Sequence, residues 1–157
     1  MENLCVNQLL ICGSVNSLIK LYDDFKGNYH NESSKFKLMN IRPALLEEQK
    51  ITRWGCSRDL DELDRKRVGT QMKNEIEKIL ENTVDQEEDA LIVLNIFGVD
   101  GSLIGLSEFC SRKYKLMIML GCKYYINQKY EYNHYYINKG KVVSVNDVKD
   151  VFQEANL

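Results

Sequence analysis

The run "ALIVLNIFG", Ala90 to Gly98, constrains the fold more than any other stretch of this chain. It is apolar at nearly every position and lies between acidic residues and the turn-forming "GVDG". It is far too short for the roughly 20 apolar residues that a bilayer-spanning helix needs. Nor does it show helical spacing. A short continuous apolar run of this kind reads as a central strand with both faces covered. That expectation demands a sheet, and layers packed against it.

Three further strands follow by the same logic. "CVNQLLICG", Cys5 to Gly13, is short, apolar and ended by glycine. "KLMIMLGCKYYI" is another, and "NQK" turns it into "YEYNHYYI", so the pair is expected to form a hairpin that "NKGK" ends. Phe36 to Ile41 is a less regular strand candidate, followed by Pro43 at the start of a short helical turn.

Between the strands the apolar period changes to three and four. Ser14 is placed to cap a helix through about Phe25 with Val15, Leu18, Ile19, Tyr22 and Phe25 inward. After Trp54, Ser57 is a candidate cap, with Asp59 and Asp61 in the first turn of a long helix. Leu60, Leu63, Val68, Met72, Ile76, Ile79 and Leu80 lie on or near one stripe of it, and Gly69 marks a kink or a break into two helices. Ser102 caps a short helix in "LIGLSEFCSRKY". Ser144 with Asp147 caps a last one that presents Val148, Val151, Phe152 and Ala155. The expected product is an α+β protein forming one globular domain over residues 1–157, a mixed or antiparallel sheet with helices packed on it in a ferredoxin-like layout.

Composition excludes several functions. A formal net charge of −2 predicts no general attraction to nucleic acid or anionic membrane. The local balance differs. Ser57 to Glu88 holds ten acidic and six basic residues, whereas Arg112 to Lys141 holds seven basic residues, one acidic residue and seven of the nine tyrosines. Five cysteines lack zinc-knuckle or redox spacing, so buried, reduced thiols in an intracellular protein are expected. The start "MENLCVNQLLICG" is acidic with a short apolar run, which does not read as a secretory signal.

No set of residues declares a reaction. "GVDGSLIG" lacks a lysine after its glycines and reads as a tight strand-to-helix turn rather than an anion site. Cys56 with His30 or His134 would supply a nucleophile and a base, but sequence cannot bring them together. "DLDELD" is interleaved with Arg58, Arg65, Lys66 and Arg67, the pattern of a salt-bridged helix start rather than a cation site. No catalytic residue, metal or cofactor is therefore assigned.

The clearest candidate surface is the hairpin. Alternation puts Tyr130, Tyr132, His134 and Tyr136 on one face, with Lys123 beside them in sequence. Aromatic and basic side chains on a sheet suit a protein partner, or the stacking of unpaired bases of a single-stranded nucleic acid. The consensus of the common RNA-recognition module is absent. Trp54, followed by Arg58, is the remaining candidate: buried, it anchors the sheet; exposed, it belongs to a partner-binding surface.

Two motifs, followed by a strand–helix–strand and an aromatic hairpin, carry a family resemblance. Asn3, Cys5, Asn7, Leu9, Ile11 and Gly13 follow the pattern "N-W-C-x-N-x-L-x-I-x-G", with Leu4 where an aromatic is common. Trp54 and Gly55 follow "W-G-T-K-W", with Cys56 and Arg58 replacing the threonine and the second aromatic. In these the chain resembles the YubB ferredoxin-like family of plasmids, phages and large DNA viruses. The long charged stretch after Trp54 and "GVDG" at the later turn depart from that pattern. The resemblance implies a ferredoxin-like fold and an accessory role in a virus or mobile element, and it brings no catalytic residues. The expectation is a small protein that acts by binding.

Overall fold

The computed structural model describes residues 5–27, 60–99, 103–126 and 129–144. The chain runs β1 (Cys5–Ser14), α1 (Val15–Gly27), α2 (Glu62–Asn82), β2 (Asp89–Val99), α3 (Ile104–Tyr114), β3 (Met117–Ile126), β4 (Lys129–Asn138) and β5 (Lys141–Ser144). The five described strands make one sheet in the order β2-β1-β3-β4-β5, and every neighbouring pair is antiparallel. β2 and β3 are both antiparallel to β1, which lies between them. They therefore run parallel to each other, joined by α3 as a βαβ unit split around β1.

The core lies on one face of this sheet. Leu9 and Ile11 of β1, Ile92, Leu94 and Ile96 of β2, Ile118 and Leu120 of β3, and Tyr135 and Ile137 of β4 alternate into it. Leu18, Leu21 and Phe25 of α1, Val68 and Met72 of α2, and Ile104, Cys110 and Tyr114 of α3 meet them there. Each such buried side chain contributes roughly 1.5–3 kcal/mol by leaving water.

Local signals set the helix ends. Ser14 Oγ accepts from the N–H of Ser17 at 3.1 Å, the expected cap of α1. The cap of α2 is Asp61, whose Oδ1 accepts from the N–H of Asp64 at 2.7 Å; Ser57 lies outside the described residues. α2 passes through Gly69 as one continuous helix of 21 residues, without the break that the glycine suggested. Val68, Met72 and Ile76 face inward as expected, whereas Leu63 and Leu80 of the same expected stripe are exposed.

β2 corrects the central-strand expectation, because among the described strands it lies at the edge of the sheet. Its outer edge is closed by side chains of α2. Gln71 Nε2 donates to the carbonyl of Asn95 at 2.8 Å, Gln71 Oε1 accepts from the N–H of Asn95 at 2.7 Å, and Glu75 Oε1 accepts from the N–H of Val93 at 3.1 Å. A helix thus supplies the hydrogen bonds that a neighbouring strand would supply, and blocks edge-to-edge pairing.

The helix expected after Ser102 begins with Leu103 as N-cap, and no side chain caps it. The Leu103 N–H instead donates to Oδ1 of Asn7, a fully buried residue of β1, at 3.0 Å. This ties the β2–α3 connection to the strand beneath it. "NKGK" does more than end the hairpin: Lys139 (φ 52°) and Gly140 (φ 76°) form a two-residue turn into β5. The candidate strand at Phe36 to Ile41 and the last helix lie outside the described residues.

Candidate functional site: the sheet face opposite the helices

Alternation along each strand makes a second face, and pairing aligns its side chains in rows. Asn95 of β2, Gln8 of β1, Gly121 of β3 and His134 of β4 are successive partners across four strands. Val93, Leu10, Met119 and Tyr136 form the next row, and Leu10 is the buried centre of its own apolar cluster with the other three. On the other side, Val6, Lys123 and Tyr132 are aligned. Among the described residues no helix belongs to this face.

The hairpin residues divide by environment. Tyr132 is 44% exposed, and the Lys123 ammonium sits 5.6 Å from its ring centroid, a cation–π contact. His134 shares that face but is only 8% exposed, so its ring is held within the surface. Tyr136 is half-buried, and its hydroxyl meets Met117 Sδ at 3.1 Å. Tyr130 is in β4, with its side chain outside the described residues, as are Trp54 and Arg58 altogether. The structure therefore brings Lys123, Tyr132, His134 and Tyr136 together on one face.

Sequence reasoning missed the rest of the face. Leu91 and Phe97 of β2, Met117 of β3 and Val143 of β5 are exposed, and each alternates with or pairs beside a residue that points to the core. With Tyr132, every exposed large apolar side chain among the described side chains of the strands lies on this side. The signal was present in "ALIVLNIFG", where Leu91, Val93 and Phe97 occupy the alternate positions; taking the strand as covered on both faces hid it. Polar Gln8 was also missed. It is 8% exposed, gives Nε2 to Asn95 Oδ1 at 3.0 Å, and leaves its Oε1 without a hydrogen-bond partner.

The other sequence candidates resolve locally. Leu103 offers its N–H to Asn7, so this amide is already used within the protein. Asp61 caps α2, and Asp64 pairs with Arg67 at 3.4 Å, as a charge-laced helix start requires. His30 and Cys56 lie outside the described residues. Among the described residues no three His, Cys, Asp or Glu side chains gather as a metal site. In the same residues no helix is long and apolar enough to cross a membrane.

Comparison with protein-family models, curated proteins and solved structures yields no match.

Proposed function

We propose that this protein acts by binding rather than by catalysis, and that it holds a protein partner against the sheet face opposite the helices. One observation carries the reading: Leu91, Phe97, Met117, Tyr132 and Val143 are exposed on the same side of one sheet. They flank the buried Leu10, Gln8 and His134 of the same face, and large apolar side chains left in water on one face suit a partner's apolar surface. Lys123 of β3 and Lys141 of β5 lie on the same side by alternation, so the matching surface is apolar with an acidic rim.

The wider setting is part of the same proposal. The split βαβ unit around β1 supports a ferredoxin-like layout of the kind the YubB resemblance implies, and with it an accessory role in a virus or mobile element. Free Cys12 and Cys110 thiols suit a reducing, intracellular compartment.

The test compares the tagged wild-type chain with a Phe97→Glu/Tyr132→Ala variant, using Leu80→Ser on the far side of α2 as control. A protein retained by wild type and control, lost by the face variant and unaffected by nuclease is expected. Equal retention by all three chains rejects the site.

Lys123 over the Tyr132 ring favours a second reading, a single-stranded nucleic acid stacked on this hairpin. It requires binding that weakens steeply with salt and drops in Lys123→Ala/Tyr132→Ala. The burial of His134 counts against it, since stacking platforms present successive exposed rings.

A further inference from the structure

A separate cleft of about 390 Å³ opens in the helical layer, between α1 and the N-terminal half of α2. Lys26 of α1 and Lys66 and Lys73 of α2 line it, together with Thr70, and among the described residues no carboxylate does. Tyr22 and Phe25 supply its aromatic lining. Lys26 lies 5.9 Å from the Tyr22 ring centroid. Lys73 reaches Glu77 only at 4.0 Å, and both side chains are mostly exposed, so this pair neutralises little of the positive field.

Gly69, also in the cleft lining, supplies an independent observation. It sits inside α2, where glycine costs about 1 kcal/mol relative to alanine. Packing does not demand it. A Cβ added there would meet only Phe25 Cε1, at 3.9 Å, an ordinary contact, and its backbone is not left-handed. What the missing side chain does is leave the cleft open down to the edge of the Phe25 ring.

We propose that this cleft binds a small phosphorylated ligand with a planar ring, a nucleoside phosphate. The three ammonium groups and the Thr70 hydroxyl take the phosphates, and the ring enters over Gly69 against Phe25 and Tyr22. The volume is at the lower end of the range that small-ligand pockets occupy, about 300–1,000 Å³. The proposal is independent of the sheet-face reading, and Tyr132→Ala leaves it intact.

Calorimetric titration of the full chain with ATP and, separately, with inorganic pyrophosphate tests it. Both are expected to bind at low salt, with ATP the tighter. Lys66→Gln/Lys73→Gln should weaken both at least tenfold without lowering the unfolding midpoint. Gly69→Ala should raise that midpoint yet weaken ATP about tenfold, a combination that a purely structural glycine does not produce. Absence of binding by either probe, or unchanged binding in the double lysine variant, overturns the site. Equal affinity for the two probes, or full ATP affinity in Gly69→Ala, overturns the nucleoside assignment.

Discussion

Gln71 hydrogen-bonds both backbone groups of Asn95, donating to its carbonyl at 2.8 Å and accepting from its N–H at 2.7 Å. A single side chain thereby supplies, at the centre of the β2 edge, the hydrogen bonds that a neighbouring strand would supply. Replacing it with alanine leaves a strand edge open both to water and to other chains. Gln71→Ala is expected to cost about 1–3 kcal/mol in urea unfolding, and Gln71→Ala/Glu75→Ala to add concentration-dependent association in light scattering. An unchanged midpoint and a monodisperse double variant would show that the cap contributes nothing.

Asn7 is the second buried polar anchor. Its Oδ1 accepts from the Leu103 N–H at 3.0 Å and faces Cys122 Sγ at 3.1 Å. Removing it strands a buried backbone donor, whose desolvation costs about 1–3 kcal/mol. Asn7→Ala should therefore destabilise by at least that amount. Hydrogen exchange should rise first at Leu103, the N-cap of α3, before it rises in the strands.

The turn from β4 to β5 rests on α3. Ser111 Oγ accepts from the Gly140 N–H at 3.0 Å and donates to the Leu116 carbonyl at 2.7 Å. Gly140 has φ 76°, and a Cβ there would come within 2.7 Å of Arg112 Cβ. Gly140→Ala meets both the left-handed penalty of about 1–2 kcal/mol and this clash. It should lower the thermal midpoint more than Ser111→Ala, which loses hydrogen bonds without creating overlap.

Burial pushes the Cys110 thiol from 9.0 up to about 12, and the Lys113 ammonium opposes this only in part. The folded state therefore holds the proton more tightly than the unfolded state. The associated stability is complete below about pH 9 and is lost as pH rises from there through about 12. Within that window the slope is about 1.4 kcal/mol per pH unit. Denaturation at pH 8, 9 and 10 should show wild type losing stability faster than Cys110→Ala. Parallel slopes would contradict the assignment. Iodoacetamide should modify Cys12 well before Cys110.

Much of the local structure is legible in the sequence because its causes are local. Ser14 has the hydroxyl that caps α1, the spacing of Leu18 and Phe25 marks its inner face, and Tyr132, His134 and Tyr136 share a face by simple alternation. The β3–β4 hairpin follows from two β-rich runs and a short polar turn. The α2 cap was displaced to Asp61 because several acidic and hydroxyl residues compete there, and local preference alone does not rank them.

What only the tertiary structure decided concerns partners distant in the chain. "ALIVLNIFG" specifies a strand by composition, but an apolar residue at an alternate position has the same identity whether it is buried under a layer or exposed in a binding face. The edge position of β2 depends on Gln71 and Glu75, about 20 residues earlier, turning their side chains onto its backbone. The row that joins Asn95 to His134, and the cleft that joins Lys26 to Lys66, exist only once the chain has closed long loops. Sequence by itself determined the elements and their faces, since these follow from backbone sterics and apolar period. Strand order, edge protection and the assembly of both candidate sites were decided by pairings between segments far apart in the chain, and local chemistry does not encode these.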